Sequence, residues 1–177
     1  TAALELFDEV GPLDYLFVPV GGGGLISGSA LAAQLRAPEC RVVGVEPALG
    51  ADANRSWRSG EVYKLEAVPA TIADGLRTRA IGGRNLAIMR RYVSDMTTAT
   101  EEEILAALEF IWARLKIVVE PSSAVALAPL LAGAYSVPPG ARVGVLLSGG
   151  NVNVATLLQP PAATPAPATA AAREEST

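Results

Sequence analysis

Four consecutive glycines, Gly21 to Gly24, stand between the apolar run Tyr15-Leu-Phe-Val18 and a helical-looking segment over 25–35. No other feature restricts this chain as much. Each glycine raises the entropy cost of ordering the backbone, so such a run is disfavoured unless the chain must do something unusual there. A flexible hinge is ordinarily longer, serine-rich and polar on both sides. Here the flanks are apolar and continuous. The order strand, glycines, helix therefore predicts an anion cradle, in which unblocked N–H groups at the start of a helix face a phosphate. The segment lacks the Gly-Lys-Ser/Thr ending of a P-loop and does not follow the dinucleotide fingerprint, so a non-nucleotide phosphate is expected.

Apolar periodicity predicts helix over 4–10, strand over 15–20, helix over 25–35 and strand over 41–45. A helix is expected over 51–59, a loop over 71–76, a helix over 85–92 and a short strand over 92–96. Then come a long helix over 100–116, another over 122–131, a strand over 142–147 and a last short helix over 152–158. Apolar strands alternating with helices indicate a parallel sheet covered on both sides. The expected class is thus α/β, an open, mostly parallel sheet with helices on both faces. Thr100-Glu-Glu-Glu103 reads as a capping box, which assigns the three glutamates to helix-start electrostatics rather than catalysis. From Gln159 onward no aliphatic side chain exceeds alanine, and 159–177 is expected to be a disordered tail rich in proline and alanine.

Composition narrows the function. At 177 residues, 50% hydrophobic and 18% charged, the chain can bury one substantial core. A net charge of −4 with no basic cluster argues against a nucleic-acid partner. No run approaches the roughly 18 uninterrupted apolar residues of a membrane span. The single Cys40 excludes an internal disulfide and fits a reducing, cytoplasmic compartment. There is no histidine, so proton chemistry falls to carboxylates, lysine, serine or a cofactor. Thr1 opens directly into an amphipathic pattern without a signal peptide, and the chain is expected to be part of a longer protein.

Five segments occur in order: VGGGGLISG, VGVEPALGADAN, TIADGLRT, VVEPSSAVALA and VLLSGGNVN. Singly, each reads as ordinary turn chemistry. Together they resemble the C-terminal portion of fold-type-II pyridoxal-phosphate enzymes, the serine/threonine dehydratase and serine racemase group, over residues 1–158. That resemblance implies a tryptophan-synthase-β-like fold, here incomplete, with pyridoxal 5'-phosphate as cofactor. Gly21, Gly22, Gly23 and Gly24, with the Leu25 N–H, would hold its phosphate. Ser148 would face the pyridine nitrogen, with Gly149 and Gly150 allowing close backbone approach, and Gly75 would pack beside the ring. Glu120 would lie behind these groups.

The resemblance also implies a metal site for Mg²⁺ or Ca²⁺, built from Glu46, Asp52 and the Gly50 carbonyl, a hard-oxygen set. The alternative is that Asp52 simply caps the following helix. One departure from the family is large. The lysine that would bond to the cofactor belongs to an N-terminal Ser-Phe-Lys segment, and the only lysines here are Lys64 and Lys116. Neither matches, so no catalytic residue is assigned within the chain, and alone it is expected to be inactive. The implied activity of the complete, homodimeric protein is deamination of L-serine or L-threonine. A serine or aspartate racemase and a non-catalytic phosphate-binding remnant are the alternatives.

Overall fold

The computed structural model describes residues 1–157; the tail expected over 159–177, and Leu158, lie outside them. Four strands, β1 (Tyr15–Pro19), β2 (Arg41–Pro47), β3 (Asp95–Ala99) and β4 (Val143–Val145), form one sheet in the order β3-β2-β1-β4. Every pairing is parallel, with Tyr15 opposite both Arg41 and Val143, and Val43 opposite Asp95. Because side chains alternate across a strand, β1 feeds two cores. Leu16, Val18 and Val42 face one side, where they cluster with Phe7 of α1 (Ala2–Val10), Ile26 of α2 (Gly24–Arg36) and Met89. Tyr15, Phe17, Val43 and Val45 face the other, against Ile104, Ala107 and Ile111. The helices thus cover both faces, as the apolar strands require. Gly44 makes the first core possible: a Cβ there would lie 2.7 Å from Ile26 Cδ1 and press on the Met96 sulfur. Among the described residues no helix is long and apolar enough to cross a membrane.

Most expected elements appear within a residue or two, and the larger departures have local causes. The strand expected over 92–96 is displaced to Asp95–Ala99, since α4 (Gly83–Tyr92) takes Tyr92. Thr97 and Thr98, β-branched but polar, carry the strand that an apolar pattern does not show. β2 runs past Val45 to include buried Glu46 and Pro47. The helix expected over 122–131 is two short ones, α6 (Pro121–Ala124) and α7 (Ala128–Leu131). Pro129 has no N–H to offer the carbonyl four residues back, so the chain restarts its helix around it.

The long helix expected over 100–116 is α5 (Glu101–Phe110) followed by a π-helical turn at Ile111–Leu115. Lys116 then stops the helix in the left-handed region (φ 60°). The capping box is present: the Thr100 N–H donates to Glu103 Oε2 (2.8 Å) and the Glu103 N–H to Thr100 Oγ1 (3.2 Å). Beyond the two described cores, α3 (Asp52–Ser59) follows β2, the loop over 71–76 closes with a 3₁₀ turn at Asp74–Leu76, and α8 (Val154–Leu157) ends the described chain.

Candidate active site

The strand order places a crevice at one edge of the sheet. From β1 the chain passes through α2 to β2 and on to β3, while β4 returns to the other side of β1. Since α2 and α5 lie on opposite faces, the connections diverge between β1 and β4. A parallel sheet takes ligands at such a switch point, beyond the C-terminal ends of its strands. The glycine run leaves β1 there, and Ser148-Gly-Gly leaves β4 beside it.

The glycines turn in the expected manner. The Val20 N–H still donates to Val45 O (2.8 Å), the last tie to the sheet. Gly23 is left-handed (φ 85°) and sits at the N-cap position of α2, which begins at Gly24. Among the described residues no backbone or side-chain acceptor takes the N–H groups of Gly21, Gly22 or Gly23. Those of Gly24 and Leu25 stand in the first turn of α2, where no carbonyl of the helix can reach them. Gly24 and Leu25 are exposed. Five consecutive amides are therefore free at a helix N-terminus, the donor set a phosphate dianion takes.

Three further segments wall the crevice. A Cβ at Gly21 would meet Leu76 at 3.4 Å, which seats the cradle against the loop carrying Gly75. The Gly75 N–H donates to Ser122 Oγ (2.9 Å), joining that loop to α6. Ser123, wholly buried, holds the β4 loop: its Oγ donates to Gly149 O and accepts from Gly149 N–H, both at 2.7 Å. The same oxygen lies 3.3 Å from Ser148 Oγ. Glu120 adds its N–H to Gly149 O (3.1 Å), and its Oε2 accepts from the Asn151 N–H (3.1 Å). Side chains at Gly149 or Gly150 would strike Glu120 Oε1 (2.9 Å) and Val118 O (2.7 Å). The close approaches these glycines permit are therefore first to the chain's own Glu120 and Val118. A recess of about 330 Å³ opens alongside, lined by Ile72, Asp74, Arg77, Pro121, Asn151 and Asn153.

Two carboxylates, Glu46 near the end of β2 and Asp52 beyond it, form a separate, buried pair. Glu46 caps α3 from the strand below: its Oε1 accepts from Ala53 N–H (2.9 Å) and its Oε2 from Asn54 N–H (2.7 Å). Capping thus falls to Glu46; Asp52 is the first residue of α3, and both of its carboxylate oxygens are buried without a hydrogen-bond partner. Burial pushes the Glu46 carboxyl up to about 8, despite the two amides that pull it down, and the neighbouring Asp52 raises it further. Burial likewise lifts Asp52 to about 6, although the Asp52 and Ile81 amides, which approach it without forming a hydrogen bond, pull it down. Gly50, buried, precedes them in the 3₁₀ turn Ala48–Gly50. Among the described residues no three acidic, cysteine or histidine side chains cluster, so any cation here would rest on two carboxylates and backbone oxygen. Orphaned, buried carboxylate oxygens fit a hard divalent cation.

Neither lysine stands among these groups. Lys64 bridges to Ala80, Lys116 ends the π-helical turn, and both are exposed. Sequence reasoning misses Ser122, Ser123 and Asn85. Asn85 lies inside α4, and its side-chain N–H donates to Gly22 O (2.7 Å).

Residues 1–149 match the family described as pyridoxal-phosphate dependent enzyme. The chain is 47% identical over 154 residues to a serine racemase of Schizosaccharomyces pombe, covering 87% of this chain and 47% of that protein. It is 46% identical to an L-threo-3-hydroxyaspartate ammonia-lyase of Saccharomyces cerevisiae, with the same coverage of both. The crystal structure of a T.th. threonine deaminase superposes with a TM-score of 0.82 at 41% identity, covering 86% of this chain and 55% of that one. The chain spans about half the length of the curated relatives it matches.

Proposed function

This chain belongs to the pyridoxal-phosphate dependent enzyme family, and we propose that it is the C-terminal portion of a member that deaminates L-serine or L-threonine to a 2-oxo acid and ammonia by β-elimination. The observation that carries the reading is the switch-point crevice, where five amides free among the described residues follow β1 and the Ser148 segment follows the neighbouring β4. When bound, pyridoxal phosphate supplies the electron sink that loosens bonds at the amino acid's α-carbon.

The chain's own residues position and tune. The amides of Gly21 to Leu25 bind the phosphate dianion. Ser148 would supply a neutral hydroxyl to the ring nitrogen, which, unlike a carboxylate, would not force that nitrogen to be protonated. Ser123, bonded to both polar groups of Gly149, fixes the peptide on which Ser148 is carried. The recess by Asn151 and Arg77 would give the amino acid room to approach. Mg²⁺ or Ca²⁺ would be held by Glu46, Asp52 and the Gly50 carbonyl, where it would neutralise two buried carboxylates and brace the start of α3. The nucleophilic lysine and the groups that grip the substrate carboxylate are assigned to sequence outside this chain.

The same groups would serve a serine or aspartate racemase, and the likeness to a serine racemase favours that second reading. One assay separates them. The complete protein, loaded with cofactor, is incubated with L-serine and with L-threonine, and 2-oxo acid, ammonia and D-amino acid are measured together. Equal release of 2-oxo acid and ammonia is expected. D-Serine without 2-oxo acid would replace the reading with the racemase, and no product of either kind, from a protein that binds the cofactor, would leave a binding protein.

A further inference from the structure

The cradle has a weakness that its glycines create. Without side chains, each peptide of the run can rotate, and a rotated peptide offers the phosphate a carbonyl instead of an amide. Something else must hold the peptide planes. The Gly22 carbonyl receives two donors from the start of α4, the Asn85 side-chain N–H at 2.7 Å and the Gly82 N–H at 3.2 Å. A trans peptide is planar, with its C=O and N–H on opposite sides. Fixing the Gly22 oxygen toward α4 therefore turns the Gly23 N–H the other way, away from α4. Asn85 has one further hold on the region and leaves no room for a side chain at Gly23. Its own carbonyl accepts from Ser27 Oγ of α2 (3.3 Å), and its Cβ lies 2.9 Å from where a Cβ of Gly23 would stand.

We propose that Asn85 is a positioning residue for the phosphate-binding loop: its side-chain amide locks the Gly22–Gly23 peptide in the orientation that aims amides at a phosphate. The proposal rests on the cradle reading above. Asn85 lies 63 residues from Gly22 in sequence, and it acts by removing the alternative peptide orientations that the glycines permit.

The test compares pyridoxal phosphate with pyridoxal, which lacks the phosphate, in the complete protein. Dissociation constants for both are measured in the wild type, Asn85→Ala and Asn85→Asp, with the thermal midpoint of each ligand-free protein. The wild type is expected to prefer the phosphate ester strongly. Asn85→Ala should lower affinity for pyridoxal phosphate about tenfold, as loss of one organising hydrogen bond does, and leave pyridoxal unchanged. Asn85→Asp keeps the shape, cannot donate and places a negative charge behind the loop, so its loss should be larger. Equal losses for both ligands would make Asn85 a structural residue only and overturn the proposal. Unchanged preference in either variant would overturn it as well. A wild type that does not distinguish the two ligands would sink the cradle reading, and this inference with it.

Discussion

The four glycines are not equivalent, and their differences separate what the fold needs from what a ligand needs. Only Gly23 is in the left-handed region, and only there would a Cβ lie 2.9 Å from Asn85 and Ile81. Alanine at 23 would meet a left-handed penalty of about 1–2 kcal/mol. It would also meet overpacking of about 1–3 kcal/mol. A total loss of roughly 2–5 kcal/mol is therefore expected for Gly23→Ala. At Gly22 the nearest atom is Thr78 Cγ2 at 4.0 Å, and at Gly24 nothing lies within 4 Å. Gly22→Ala should leave ligand-free stability within about 1 kcal/mol of wild type, and Gly24→Ala should be neutral or gain up to about 1 kcal/mol as the first residue of α2. Both should nonetheless weaken pyridoxal phosphate at least tenfold (about 1.4 kcal/mol), because methyl groups would crowd the amides the phosphate approaches. The assay is urea denaturation of the ligand-free proteins at constant m-value, paired with cofactor titration. Wild-type cofactor affinity in Gly22→Ala and Gly24→Ala would refute the cradle. A Gly23→Ala protein as stable as Gly24→Ala would refute the steric reasoning.

Two other predictions concern the carboxylates and the lysines. Asp52 and Glu46 ionise first in the unfolded chain, so in chelator stability should fall as pH rises from 3.8 to about 6 for Asp52 and from 4.5 to about 8 for Glu46. Added Mg²⁺ should restore the loss in the wild type and do nothing for Asp52→Asn, which should itself fall less steeply; urea titrations at pH 4 and pH 7 that match without metal would contradict this. For the lysines, this chain incubated with pyridoxal phosphate and borohydride should yield no stoichiometric label, whereas peptide mapping that finds Lys64 or Lys116 fully labelled would place the nucleophile inside it.

What can be read from the sequence follows from the range over which each interaction acts. β1, the glycine turn and α2 are legible because a doubly covered parallel strand is an unbroken apolar run and the turn is contiguous. β3 escapes an apolar pattern because Thr97 and Thr98 satisfy a strand by shape rather than by hydrophobicity, and Glu46 hides the end of β2 behind a charge. The break between α6 and α7 is written in Pro129, whose missing N–H outweighs the apolar pattern around it. The named segments point to Gly75 and Ser148 as candidates, but not to Asn85 or Ser123. Their hydrogen bonds span 63 and 26 residues and follow no period. A serine in an apolar helical stretch and an asparagine near a helix start carry no local mark of what they hold.

Strand order is the deepest of these hidden facts, and it decides how the candidate site works. Reading along the chain, Ser148 lies more than a hundred residues from the glycines, and nothing in either segment says that β4 returns beside β1. Once it does, with adjacent strands about 4.8 Å apart, the glycine turn and the Ser148 segment leave neighbouring strands of one rigid ladder. Glu46 lies near the end of β2 and Asp52 follows it, away from β4, so a cation there would reach the glycine turn only through the β1–β2 pairing and α3. It follows that Asp52→Asn should change the stability of the protein far more than the intrinsic affinity for pyridoxal phosphate, while Gly22→Ala should do the reverse. Measured on the same preparations, these two variants test whether the β2 carboxylates serve the scaffold and the β1 glycines serve the ligand. Parallel effects of both on stability and affinity would show that the two regions are not separable in this way.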